Sequence, residues 1–253
     1  MTDGGVRLWW VPLDRDPACR ADLTAVLDDA ERARIARFAT PTLRARHTVA
    51  RGALRRVLAG CLGCGAREVL FEVEKHGKPV LDHRHGPARP AFNLSHASGH
   101  ALIAVAGPNT RIGVDLEPLD RDIDVASLTT MILAPEEAPD FLTQPEPART
   151  RNFLRIWTRK EAYLKATGAG LTVPPDCVIA RERATAPGSL VVMSDRQGSQ
   201  HPLFVLELTI PGFAAALAVS DPKPTLQWLE SPNPRPVIRL QTAGDGITEH
   251  SAG

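Results

Sequence analysis

The sequence predicts an α+β protein of two similar halves, and three observations carry that prediction. The chain has 253 residues and ordinary apolar content, enough for one or two domains with a substantial core. Apolar strands and long amphipathic helices alternate along it. SGHALIAVAG, near residue 100, is echoed by PGFAAALAVS, near residue 215, and each follows a long helix and a set of turns and strands. The join is expected near Pro108–Arg111. The halves are then residues 1–109 and 110–222, with a Pro-rich, poorly ordered tail at 223–253.

The elements follow in order. Val6–Pro12 (VRLWWVP) reads as a strand. Asp28 and Glu31 have the spacing of a capping box that opens the charged run DDAERARIARF. From Leu43 to Leu62 apolar residues recur at helical spacing, with Arg44, Arg46, Arg51, Arg55 and Arg56 on the other faces. Val69–Val73 is a short strand. HGKPVLDHRHGPARP then reads as turns and loop, dense in Gly and Pro. Strands are expected at Ala101–Ala106 and Arg111–Glu117, and a helix at Leu128–Leu133. A Pro-broken acidic connection covers 134–150. Asn152–Thr167 is a strong helix, followed by strands at Val178–Ala180, Ser189–Met193, Leu203–Leu208 and Ala214–Val219.

Composition narrows the function. The net charge of +1 argues against bulk electrostatic binding to nucleic acid or membrane. No signal peptide and no span-length apolar run are found, which predicts a cytoplasmic protein. Cys61 and Cys64 form a lone CxxC with no second pair to complete a zinc site. His76, His83 and His85 follow at no recognised ligand spacing. Small residues closing a helix is the simpler reading of the cysteine pair.

Chemistry concentrates in three places. In RIGVDLEP a strand would send Ile112, Val114 and Leu116 to one face, and Gly113, Asp115 and Glu117 to the other. Carboxylates two residues apart stand roughly 6–7 Å apart at a rise of about 3.3 Å per residue, a natural bite for one hard cation. Gly113 would leave open space beside them. A solvent-facing acidic strand has the same pattern. In WTRKEAYLKATG, Trp157, Glu161 and Lys165 share a helix face at i, i+4 and i+8. An ordinary surface ion pair would do the same. The shared aromatic and the following GAG argue for a face turned towards another element. If Glu161 met Asp115 and Glu117, the three acids would repel one another without a cation. Lys165 would then reach a phosphate bound there. In FNLSHASGH, Ser95 and His96 are neighbours whose side chains point apart, so they make no catalytic dyad. No GxSxG surrounds the serine. Gripping an anion suits both better, and GKP places Lys78 on a rigid turn.

GKP, FNLSHA, IGVDLE and WTRKEAYLKATGAGL, in this order, resemble the 4′-phosphopantetheinyl transferases of the larger, Sfp-type class. The resemblance covers most of residues 43–173, and Ala97 departs from relatives that carry Ser or Thr there. It implies two α+β halves related by a pseudo-twofold, with the active site between them and a monomeric state. It implies coenzyme A in the cleft, and Mg²⁺, or alternatively Mn²⁺, on Asp115, Glu117 and Glu161. Lys165 would contact phosphate near the reacting bond, and Glu161 would take a proton. Lys78, Ser95 and His96 fall on coenzyme-binding positions, and Arg46 and Arg51 match basic residues near the nucleotide phosphates. The partner implied is an acyl or peptidyl carrier protein, docking near the Pro-broken segment and exposed apolar residues around Met131 and Phe141. Two rivals are a metal-dependent phosphodiesterase and a non-catalytic coenzyme A-binding module.

Overall fold

A computed structural model describes residues 5–180, 190–195 and 203–229. Strand β1 (Gly5–Pro12) opens the chain, followed by helices α1 (Pro17–Ala25), α2 (Asp29–Ala36) and α3 (Pro41–Leu62). Each helix has a local start signal. Asp16 and Thr40 cap α1 and α3 ahead of an N-terminal proline, and Asp28 with Glu31 forms the full capping box of α2. The pair β2 (Phe71–Val73) and β3 (Pro79–Leu81) comes next, then β4 (Ala91–Ala97), β5 (His100–Ala106) and β6 (Ile112–Pro118). Helices α4 (Val125–Ile132), α5 (Ala138–Leu142) and α6 (Ala148–Thr167) lead to β7 (Val178–Ala180), β8 (Leu190–Asp195), β9 (Leu203–Glu207), β10 (Phe213–Val219) and β11 (Thr225–Leu229).

Two main sheets result, the first mixed and the second antiparallel throughout. One sheet has the order β11-β1-β5-β4 and the other β6-β10-β9-β8-β7. Their inner faces meet in one apolar cluster. Val6, Leu8 and Trp10 of β1 and Leu102 and Ala104 of β5 pack there with Ile112, Val114 and Leu116 of β6 and Leu217 of β10. The alternate residues Trp9 and Val11, with Ala101 and Ile103, face α3 through Val49, Leu54 and Leu58. On the far side α6 covers the second sheet through Ala162, Tyr163 and Ala166. The layer order is helix, sheet, sheet, helix. Strands buried on both faces explain why ALIAVA and AAALAV read as continuous apolar runs.

Several sequence expectations change. The segment read as loop at 76–90 contains β3, because the Gly77 turn returns the chain to pair with β2. Helix α6 begins four residues earlier than Asn152. Helix α1 was not anticipated. Thr225–Leu229 lies inside the expected tail, yet pairs in parallel with Gly5–Trp9, because the outer edge of β1 offers free backbone groups. Phe141 is only 1% exposed, packed on Phe153, so it forms no docking surface, whereas Met131 is 63% exposed. The beginning of the expected strand at Ser189 lies outside the described residues. Among the described residues, no helix is long and apolar enough to cross a membrane.

Candidate active site

Strand β6 and helix α6 are pressed together, and Gly113 is the reason. A Cβ there would lie 2.5 Å from Ala166 N and closer still to Ala162 O, both backbone atoms of α6. The space beside Gly113 is therefore filled by the helix and is not open. Two residues on, Asp115 points from the same face of β6 towards α6 and meets Lys165.

Asp115 is 5% exposed. Its Oδ1 accepts from Lys165 Nζ at 2.6 Å and from Ser95 Oγ at 3.0 Å. Lys165 Nζ also donates to Ser95 Oγ at 3.2 Å. Asp115 Oδ2 is buried and has no hydrogen-bond partner among the described residues. A buried carboxylate oxygen without a donor is costly, so this atom marks a place for a further cationic or donor group. Glu117 is held by Arg121 at 2.7 Å. Burial pushes its carboxyl above the usual range. Arg121 opposes that shift and Asp115 adds to it. Glu161 has no hydrogen-bond partner among the described residues. Burial raises its carboxyl, Asp115 and Glu117 push the same way, and Lys165 opposes.

Ser95, Asp115, Glu117, Glu161 and Lys165 line one cleft of about 350 Å³, together with His96 and Trp157. Trp157, Glu161 and Lys165 therefore do share a face, and it turns inward. The three carboxylates face two cations, Lys165 and Arg121, so the cleft carries excess negative charge. Their oxygens do not all lie within 4.8 Å of one another, because Asp115 and Glu117 each turn to a cationic partner. Among the described residues only Glu72, Asp82 and His83 meet that criterion. Asp82 there is already neutralised by Arg84, and His83 is exposed. The unpartnered Asp115 oxygen, the uncommitted Glu161 and the hard oxygen donors fit a divalent cation such as Mg²⁺.

The expected coenzyme contacts divide. Ser95 and His96 lie on β4 and point to opposite sides, Ser95 to Asp115 and His96 to His47 at a ring separation of 4.7 Å. Burial lowers the His96 imidazole, and Lys165 adds to the effect. Lys78 and Arg51 line an adjoining cavity of about 270 Å³ with Phe92 and Asn93, and Lys165 and Leu94 belong to both spaces. Lys78 Nζ donates to the carbonyls of Ile112 and Ala166 at 3.1 and 3.2 Å, tying its hairpin to β6 and α6. Arg51 pairs with Glu31 and stacks on Phe71 at 3.8 Å. Arg46 is taken up by a two-pronged contact with Asp14 at 2.7 and 2.8 Å and lines neither space.

Three neighbours escaped the sequence reading. Arg121 stands four residues beyond Glu117, an offset that strand logic ignores. His47 stacks on Phe38 at 3.6 Å and supports His96. Asn93 accepts from Val114 N at 2.9 Å and locks β4 against β6. Only Asn93 had a visible signal, an amide in an apolar strand.

Comparison with known proteins identifies the family. Residues 111–218 match the 4′-phosphopantetheinyl transferase superfamily. Residues 10–108 match the 4′-phosphopantetheinyl transferase N-terminal family. The 4′-phosphopantetheinyl transferase HetI of Nostoc sp. is 42% identical over 166 residues, which is 66% of this chain and 70% of HetI. The transferase psf-1 of Bacillus pumilus is 31% identical over 119 residues, 47% of this chain and 48% of psf-1. Sfp of Bacillus subtilis is 26% identical over 161 residues, 61% of this chain and 65% of Sfp.

Proposed function

The chain belongs to the 4′-phosphopantetheinyl transferase superfamily, and we propose that it moves the 4′-phosphopantetheine arm of coenzyme A onto a serine of an apo acyl or peptidyl carrier protein. The serine oxygen forms a bond to the phosphorus attached to pantetheine. The bond from that phosphorus to the nucleotide breaks, and adenosine 3′,5′-bisphosphate leaves. This chain supplies no nucleophile, which accords with the divergence of Ser95 and His96.

The observation that carries the reading is the Ser95–Asp115–Lys165 triangle beside the uncommitted Glu161. Lys165 shares both spaces, so its ammonium can leave Asp115 to meet negative charge gathering on a phosphate. Glu161, its carboxyl raised by burial, takes the serine proton. Asp115, Glu117 and Glu161 are the residues that would hold Mg²⁺. When bound, the ion supplies charge neutralisation on the phosphates. Arg51 and Lys78 border the coenzyme's cavity, and His96 the catalytic cleft. Arg46 would have to release Asp14 to take part. Residues 1–109 and 110–222 act as halves of a pseudo-twofold within one monomer.

The test is direct. The protein is incubated with coenzyme A, Mg²⁺ and several apo carrier domains, and each carrier is weighed by mass spectrometry. Gain of the phosphopantetheine arm is expected, and no gain on any carrier overturns the proposal. Glu161→Gln should abolish transfer and leave the circular dichroism spectrum unchanged. Normal transfer by that variant removes Glu161 from the proton step.

A further inference from the structure

Strand β6 ends at Pro118, and the chain then turns back on itself. Arg121 N donates to Pro118 O at 3.3 Å and closes a four-residue turn. Leu119 N donates to Gly212 O at 2.9 Å, which ties that turn to the segment before β10. The turn carries Arg121 back over the end of the strand. Its Nη1 lies 2.7 Å from Glu117 Oε2, and its guanidinium carbon lies 5.9 Å from the centre of the Trp157 ring. Glu117 and Trp157 both line the catalytic cleft.

The three acids of that cleft differ in what already holds them. Asp115 is 5% exposed, and its Oδ2 has no partner among the described residues. Glu161 has no hydrogen-bond partner among them either. Each offers an oxygen as it stands, whereas Glu117 is engaged by Arg121. Lys165 is anchored twice, on Asp115 and on Ser95. The Arg121 side chain has one carboxylate partner and is 39% exposed. Such a pair is weak, because water screens it and a long side chain loses freedom to keep it. A divalent ion carries twice the charge and takes several oxygens at once. Arg121 is therefore the cation that gives way to it most readily, and the Trp157 ring offers the freed guanidinium a favourable contact.

We propose that Arg121 is a positioning residue that occupies Glu117 while the cleft holds no ion, yields it to a divalent cation, and so sets the affinity of the site for that ion. The inference rests on the transferase reading and names what controls its metal site. Two effects act in the same direction. Without Arg121 the ion has one competitor fewer, and the uncompensated acids repel one another more strongly until an ion arrives. Both strengthen ion binding.

The probe is Mn²⁺ alone, titrated by calorimetry into the whole protein without coenzyme or carrier. Arg121→Gln should bind Mn²⁺ about two- to fivefold more tightly than wild type, the size of one surface ion pair. Arg121→Lys keeps the charge and should stay near the wild-type value. Arg151, exposed on α6, pairs with none of the three acids among the described residues, so Arg151→Gln controls for net charge and should change nothing. Loss of a merely structural contact would loosen the site and weaken binding, and a thermal melt reports the fold of each variant. An Arg121→Gln protein that binds Mn²⁺ no more tightly than wild type, or gains no more than Arg151→Gln, overturns the proposal. Absence of binding by both wild type and Arg121→Gln overturns it as well. Transfer is read separately by intact mass. A wild type that modifies no carrier overturns the transferase reading, and the Mn²⁺ comparison still decides the role of Arg121.

Discussion

Replacing Gly113 by alanine tests the geometry on which the candidate site depends. The new methyl group would meet backbone, not a flexible side chain. Restoring an ordinary contact of 3.4 Å to Ala166 N, from 2.5 Å, requires α6 and β6 to separate by at least about 0.9 Å. Overpacking of this kind costs about 1–3 kcal/mol, and a backbone obstacle belongs at the upper end. For a chain of this size about 3 kcal/mol lowers Tm by roughly 6–12 °C. The same movement draws Lys165 and Glu161 away from Asp115. A misplacement of about 1 Å can cost about 10²-fold in rate, so kcat for carrier modification should fall by that order at 20 °C, where the variant is still folded. The assay is a thermal melt paired with transfer followed by intact mass. Gly60→Ala is the control. A Cβ at Gly60, inside α3, meets nothing within 4 Å. It should leave transfer intact and stabilise by up to about 1 kcal/mol. If Gly113→Ala melts and turns over like wild type, α6 is not seated on Gly113 and the site as described is wrong.

Two further outcomes follow from one buried and one half-buried group. Lys160 is 1% exposed and donates to Ile132 O at 2.7 Å, Glu137 Oε2 at 2.6 Å and Pro175 O at 3.2 Å. Lys160→Met removes all three contacts and leaves Glu137 without its cation, held only by Ala134 N. It should cost roughly 3 kcal/mol, seen as a lower Tm, and a Tm within 2 °C of wild type would contradict that role. His47 is held down to about 4 by burial, with His96 and Arg34 adding to the effect. Its unfolded value is near 6.5, so the unfolded chain binds the proton first as pH falls. The stability that the neutral ring contributes is complete above about pH 6.5 and is lost as pH drops towards 4. His47→Phe keeps the stack on Phe38 and removes that titration. Its Tm should therefore fall less than that of wild type between pH 6.5 and 4, and parallel profiles would show that His47 is not the cause.

Local patterns fixed a good deal. The period-2 alternation of RIGVDLEP placed Ile112, Val114 and Leu116 in a core, and the i, i+4, i+8 spacing put Trp157, Glu161 and Lys165 on one face. Both periods are set by backbone geometry alone, so they need no knowledge of the neighbours. The Asp28–Glu31 capping box was legible for the same reason. Arg46 and Lys78 show where this stops. In the sequence each is simply a cation near a motif. In the fold Arg46 is bound by Asp14, from a loop thirty-two residues earlier, and Lys78 by carbonyls of two other elements. Lys160, one residue from Glu161, lies off the Trp157–Glu161–Lys165 stripe, and its burial is visible only in the fold.

By itself the sequence determined most of the elements, the α+β class and the motifs of the transferase superfamily. Tertiary structure decided what touches what. It filled the space beside Gly113 with α6, ran Thr225–Leu229 back to β1 and, among the described residues, left Asp115 Oδ2 without a donor. Contacts between residues far apart in the chain are set by packing and topology, and no local period or spacing encodes them.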